Sequence, residues 1–237
     1  MQYPLKAQNG FALYEILLAT AILVPLGMLA IQKQNTQLEE ARGITNSERT
    51  QDFGELALAY YRANATSLRS AMSNGTGAEK LCRLGVDANA PQPEATGIQS
   101  NNLTLHTCAI DAGLLKWKQF AQPSFPELNL HQQHMVAIFR RIYNKSVNPP
   151  TPTDNVEMLI VGASGAIGIP NYAPNSIGAV GGLDSLIRDA KSMGASGGVI
   201  PDEDRVLCKW IDSDPTQREA CGIQGGWKVT LSDFVGS

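Results

Sequence analysis

The sequence predicts an α+β protein: one long N-terminal α-helix followed by a head with a mostly antiparallel β-sheet and disulfide-closed loops. Three observations carry this prediction. Apolar residues run from Phe11 to Ile31 and recur beyond Asp52 at three- and four-residue spacing, the helical period. After residue 130, short runs rich in Val, Ile and aromatics alternate with Gly- and Pro-rich stretches, as strands and turns do. Four cysteines, Cys82, Cys108, Cys208 and Cys221, all lie outside the apolar run.

The bulk properties narrow the function. A chain of 237 residues holds one large domain, or one domain with an appendage. Its net charge of −3 shows no clustered basic excess, so direct nucleic-acid binding is not expected. No cysteines form a C-x-x-C pair, which argues against zinc ribbons and thioredoxin-like chemistry. An even number of cysteines behind an apolar N-terminal segment fits two disulfides made in an oxidising compartment. Three pairings are open; Cys82–Cys108 with Cys208–Cys221 is favoured because each closes a short polar loop.

The elements follow in order. Residues 11–31, roughly 21 residues, make about 31 Å of helix, close to the hydrocarbon thickness of a bilayer. Ahead stands the polar leader "MQYPLKAQNG"; behind comes "AIQKQNTQLEEARG", which offers no A-x-A-like cleavage site. Glu15 interrupts the apolar run, and a lone carboxylate there costs at least about 2.5 kcal/mol in hydrocarbon. Pro25 with Gly27 should kink or locally melt this half, and Gly43 and Gly54 lower helix propensity further on. Leu38, Ala41 and Ile44 form a thin apolar stripe. Phe53, Leu56, Ala57, Tyr60, Tyr61, Leu68, Ala71 and Met72 form a strong one, and "SNGTG" (73–77) supplies the stop.

In the head, "DANAPQPEATG" reads as an exposed loop, "SNNLTLHTCAI" as holding a short strand and "DAGLLKWKQFA" as a short helix. "HMVAIFRRIYN" and "NVEMLIVGA" read as strands joined by the turn "KSVNPPTPTD". Leu183, Leu186, Ile187 and Ala190 share one face of a helix between glycines. "RVLCKWI" and "GGWKVTLSDF" close the chain, the latter as a half-buried strand with Trp227, Val229 and Leu231 inward.

Candidate chemistry is sparse. Gly162, Gly165 and Gly168 follow an apolar strand as in a nucleotide fingerprint, but Pro170 and Pro174 break the helix that such a site needs. His131 and His134, with His106 upstream, lack the acid of a metalloprotease motif and read as a surface pair. The acidic clusters Asp202, Glu203, Asp204 and Asp212, Asp214, Glu219 lack the EF-hand glycine and read as solvated loops. No G-x-S-x-G elbow is present. No catalytic residue, metal or cofactor is expected.

The order polar leader, Gly10, Phe11, then Glu15 resembles the class III signal of type IV pilins. The resemblance implies cleavage by a prepilin peptidase between Gly10 and Phe11, N-methylation of Phe11, and a carboxylate at mature position five, Glu15. Pairing of that carboxylate with the new ammonium would steer assembly, offsetting much of the burial cost. The short leader followed by Phe is similar to the IVa subclass, whereas the mature length and C-terminal half are more like IVb. "GGLDSLIRDAKSMGASGGVIP" and "GGWKVTLSDF" weakly resemble the shufflon constant region of PilV-type minor pilins.

The implied organisation is a leader (1–10), a transmembrane and assembly half-helix (11–31), an amphipathic half-helix (32–75) and a pilin-like α+β head (76–237). The implied partners are other pilin subunits in a filament, the prepilin peptidase, and the inner membrane before assembly, with the head in the periplasm. A surface receptor is a further candidate, because C-terminal disulfide loops of pilins often form contact edges, and some pilin-like heads bind calcium nearby. The expected function is a structural, non-enzymatic subunit of a type IV pilus, in adhesion or conjugative contact. A type II secretion pseudopilin shares the whole signal, and a membrane-anchored periplasmic enzyme or binding protein is a third class.

Overall fold

The computed structural model describes residues 11–91, 96–163, 183–201, 208–209 and 214–235, excluding the side chains of 11–30, 183–185 and 215. The chain falls into two compact units, Met1–Ala41 and Arg42–Ser237. Helix α1 is Phe11–Asn74. In the first unit its described side chains, 31–41, are all exposed. Among the described residues no helix is long and apolar enough to cross a membrane. All of the apolar run except Ile31 lies outside the residues whose side chains are described.

The backbone stays helical through Pro25 and Gly27, where a kink was expected. The non-helical residue is Asn64 (φ −120°, ψ 18°), whose Nδ2 donates to the Tyr60 carbonyl at 3.0 Å. A side chain that competes for a helical carbonyl in this way bends a helix. The stop falls at the expected place: Gly75 takes φ +79°, open to glycine at no steric cost, and its N–H donates to the Ala71 carbonyl.

In the second unit the strong stripe is buried as its period requires. Phe53, Ala57, Tyr60, Leu68, Ala71 and Met72 have no exposed surface. Burying a side chain of the larger kind contributes roughly 1.5–3 kcal/mol. The thin stripe fails: Leu38 and Ile44 are 60% and 51% exposed. The buried residues in that turn of the helix are Gly43, Asn46 and Ser47 instead.

The head begins with α2 (Ala78–Leu81) and a small sheet of β1 (Arg83–Leu84) and β2 (Ile98–Gln99). The central sheet has the order β3 (Asn101–Asn102), β4 (Thr107–Asp111), β5 (His134–Asn144), β6 (Thr151–Ala163). Helix α3 (Ala112–Trp117) leaves β4 at once, capped by Asp111, whose carboxylate accepts the Leu114 N–H at 2.9 Å. Helix α4 (Leu183–Ser192) leads to a third sheet of β7 (Gly198–Val199), β8 (Glu219–Gly222) and β9 (Lys228–Thr230), and α5 (Ser232–Val235) ends the described chain. All strand pairs are antiparallel. The protein is therefore α+β with a long N-terminal helix, antiparallel sheets and two disulfides.

Two boundaries differ from expectation. Strand β6 starts at Thr151, inside the expected turn, and pairs Pro152 with Tyr143. A proline fits there because β6 has a partner on one side only among the described residues, so no ladder donor is lost on the other. The last strand ends at Thr230, and Leu231 begins the turn into α5 rather than extending the strand.

The central sheet is covered on both faces, and the alternation of β5 shows how. Met135, Ala137 and Phe139 join the core beneath α1 and α3. Val136 and Ile138 join a second core with Ala220, Leu231 and Phe234 from the C-terminal sheet and α5. Strand β6 divides likewise, Met158 and Ile160 toward the first and Leu159 and Val161 toward the second.

Candidate functional site

Among the described residues β6 is the last strand of the central sheet, and a cleft of about 810 Å³, lined by Met158 and Ile160 of the first core and Leu159 and Val161 of the second, opens beside it. One wall is α1, through Asn46, Thr50, Gly54, Glu55 and Leu58. The opposite wall is Val199, Ile200, Trp227, Val229 and Phe234; α4 contributes Leu186 and Asp189, and Met193 follows just after it. Two glycines let this wall close up: a Cβ on Gly198 or Gly222 would lie 2.3 or 2.8 Å from the Trp227 indole.

A polar seam crosses one end of the cleft. Asn129 builds the loop before β5: its Oδ1 accepts the N–H groups of His131 and Gln133, both at 2.9 Å. That loop presents His131, whose Nε2 lies 2.7 Å from Asp189 Oδ2 on α4. Asn46 of α1 donates from Nδ2 to the same oxygen at 2.6 Å and accepts the Leu130 N–H on Oδ1 at 2.8 Å. Asn46 is 6% and Asp189 9% exposed, so the groups are satisfied by each other rather than by solvent. Gly43 makes the approach possible, since a Cβ there would already stand 3.1 Å from Asp189 Oδ1.

The His131–Asp189 pair resembles the base and orienting acid of a triad, but the geometry is that of a tie. Among the described residues no hydroxyl or thiol bonds His131 Nδ1, so no nucleophile is in place. Asp189 instead joins three elements, α1, the 128–134 loop and α4.

The remaining candidates are distributed widely. Cys82–Cys108 and Cys208–Cys221 are the two disulfides, with Cα separations of 5.2 and 5.8 Å, so the local pairing is the one formed. Glu219 sits beside the second bridge, but bonded sulfurs supply no thiolate to a metal; its carboxylate pairs with Lys228 at 3.0 Å and accepts the Lys209 N–H. The three histidines do not converge: His106 stacks on Tyr143 at 3.7 Å, His131 meets Asp189, and His134 opens β5. His131 and His134 are part-buried, which corrects the reading of a surface pair. Asp214 accepts from Thr216 and Gln217 and so shapes its own turn.

Gly10, the side chains of Phe11 and Glu15, Gly165, Gly168, Pro170 and Pro174, and the acids Asp202, Glu203, Asp204 and Asp212 lie outside the described residues. The backbone places Phe11 and Glu15 in α1. Sequence reasoning missed Asn46, Asn129 and Asp189, because single polar residues in polar stretches carry no periodic signal. Compared with known protein families, curated proteins and solved structures, the chain matches none.

Proposed function

We propose that this chain is a structural subunit of a type IV pilus, in the minor-pilin class. The observation that carries the proposal is the carboxylate Glu15, five positions into a chain that would begin at Phe11 behind Gly10, inside an apolar run. Support comes from the element that bears it: a 64-residue helix, Phe11–Asn74, whose later turns are buried against an antiparallel sheet. The disulfide-closed C-terminal loop is consistent with a head that works outside the reducing cytosol.

In this reading a prepilin peptidase cuts between Gly10 and Phe11, and the new N-terminus is methylated. Before assembly the apolar half of α1 holds the subunit in the inner membrane with the head in the periplasm. The Phe11 ammonium and a Glu15 carboxylate then pair in low dielectric, so that packing among helices is favoured over isolation in lipid. The role is one of assembly rather than catalysis.

The test is intact-mass measurement of the membrane-extracted protein with and without reductant. The expected mature chain begins at methylated Phe11 and gains four hydrogens on reduction, one pair for each disulfide. A chain that retains Met1, or is cut beyond Ile31, overturns the proposal.

A further inference from the structure

We infer that the outer edge of β6 at Met158–Gly162 is a docking site for an extended peptide strand, apolar at alternate positions and carrying a Lys or Arg at one end. The inference is independent of the pilus reading, because it rests on the head alone.

Alternate residues of a strand turn their N–H and C=O groups away from their partner, and β6 pairs with β5 only, among the described residues. The first half of that edge is blunted by its own sequence, through Pro152, Asp154 and Glu157, the devices that keep edges from pairing. From Met158 to Val161 there is no proline and no charge. The blunting ceases just past Glu157, within the cleft.

The cleft suits a strand rather than a compact molecule. A five-residue strand is about 17 Å long, and its side chains point alternately to opposite faces. Here both faces meet apolar walls, Leu58 and Met158 on one side and Val199 and Val229 on the other. Main-chain pairing gives affinity to such an added strand, and the alternate pockets give selectivity.

Charge sets the end group. The described lining includes Glu55, Glu157 and Asp189 but no Lys or Arg. Asp189 is engaged by Asn46 and His131, and Glu157 lies 3.6 Å from Arg140. Exposed Glu55 has no ion pair among the described residues, so it is the carboxylate left for an incoming cation.

The test uses the full oxidised chain in detergent and amide hydrogen exchange of residues 158–162. The probes are the synthetic peptide Lys-Val-Thr-Val-Thr-Val, its Glu-initiated counterpart and a Lys-Val-Pro-Val-Pro-Val control. The expected result is slowing of exchange by at least about tenfold with the first peptide. Weaker binding of the Glu-initiated peptide, no effect of the proline peptide, and about two- to fivefold weaker binding of the first peptide to Glu55→Gln are also expected. Three outcomes would overturn the inference: amides already protected in the free chain and indifferent to peptide, protection that rises with protein concentration alone, or equal binding of the proline peptide.

Discussion

Gly54 of α1 packs directly under Ile160 of β6: a Cβ on Gly54 would lie 2.8 Å from Ile160 Cδ1. A residue that weakens the helix in isolation thus lets it settle onto the sheet. Gly54→Ala should change stability little, since Ile160 can swing its terminal methyl and the helix gains up to about 1 kcal/mol. Gly54→Val has no such escape and should destabilise by about 1–3 kcal/mol. Urea denaturation midpoints of the two variants check the ordering.

The Asn46–Asp189 bond gives a second prediction. Asn46→Ala strands the Leu130 N–H and deprives the buried Asp189 carboxylate of one donor, and should cost about 1–3 kcal/mol. Ile44→Ala, two residues away but exposed, should fall within about 0.5 kcal/mol of the parent. Equal losses for both would show that the seam does not hold α1 to α4.

Burial pushes the Asp111 carboxyl up to about 6, against the pull of the Leu114 and Gly85 N–H groups that it accepts. The folded state then holds this proton more tightly than the unfolded chain, so stability from this group is full below the unfolded value and falls as pH rises toward 6. His134 acts in the opposite sense: burial lowers its pKa, so its contribution is lost as pH falls below the ordinary histidine range. Comparison with Asp111→Asn isolates the carboxyl. The stability difference, parent minus variant, should grow by up to about 3 kcal/mol between pH 7 and pH 4. A difference independent of pH in equilibrium denaturation would contradict this.

The two disulfides should differ in effect. Cys208–Cys221 closes the shorter loop, and its removal costs about 3 kcal/mol by the chain-entropy model. Cys82–Cys108 closes a longer loop, worth about 3.5 kcal/mol, and both its cysteines are wholly buried, so the double-Ala variant also leaves a void. Thermal melts of the two double variants should therefore place the Cys82–Cys108 loss at the lower temperature.

Much of this architecture was legible in the chain because it rests on periodicity. "HMVAIFRRIYN" is β5 from end to end, and the strong stripe of α1 is buried at six of its eight positions. What could not be read depends on which surfaces meet. Leu38 and Ile44 look like core but face solvent, while Gly43, Asn46 and Ser47 look like solvent and are buried, Gly43 and Asn46 against Asp189 of α4. A histidine such as His131 gains its partner from a residue far along the chain, and spacing carries no trace of Asp189. Pro152, inside β6, reads as part of a turn because a sequence does not declare which strand will be an edge.

The burial of α1 under β5 and β6 sets a timing problem for synthesis. The greasy face around Phe53 and Tyr60 emerges from the ribosome long before Phe139 and Ile160, roughly a hundred residues later, exist to cover it. Until then that face is free to stick to other nascent chains, so the interval before β5 and β6 are made is the one in which aggregation competes with folding.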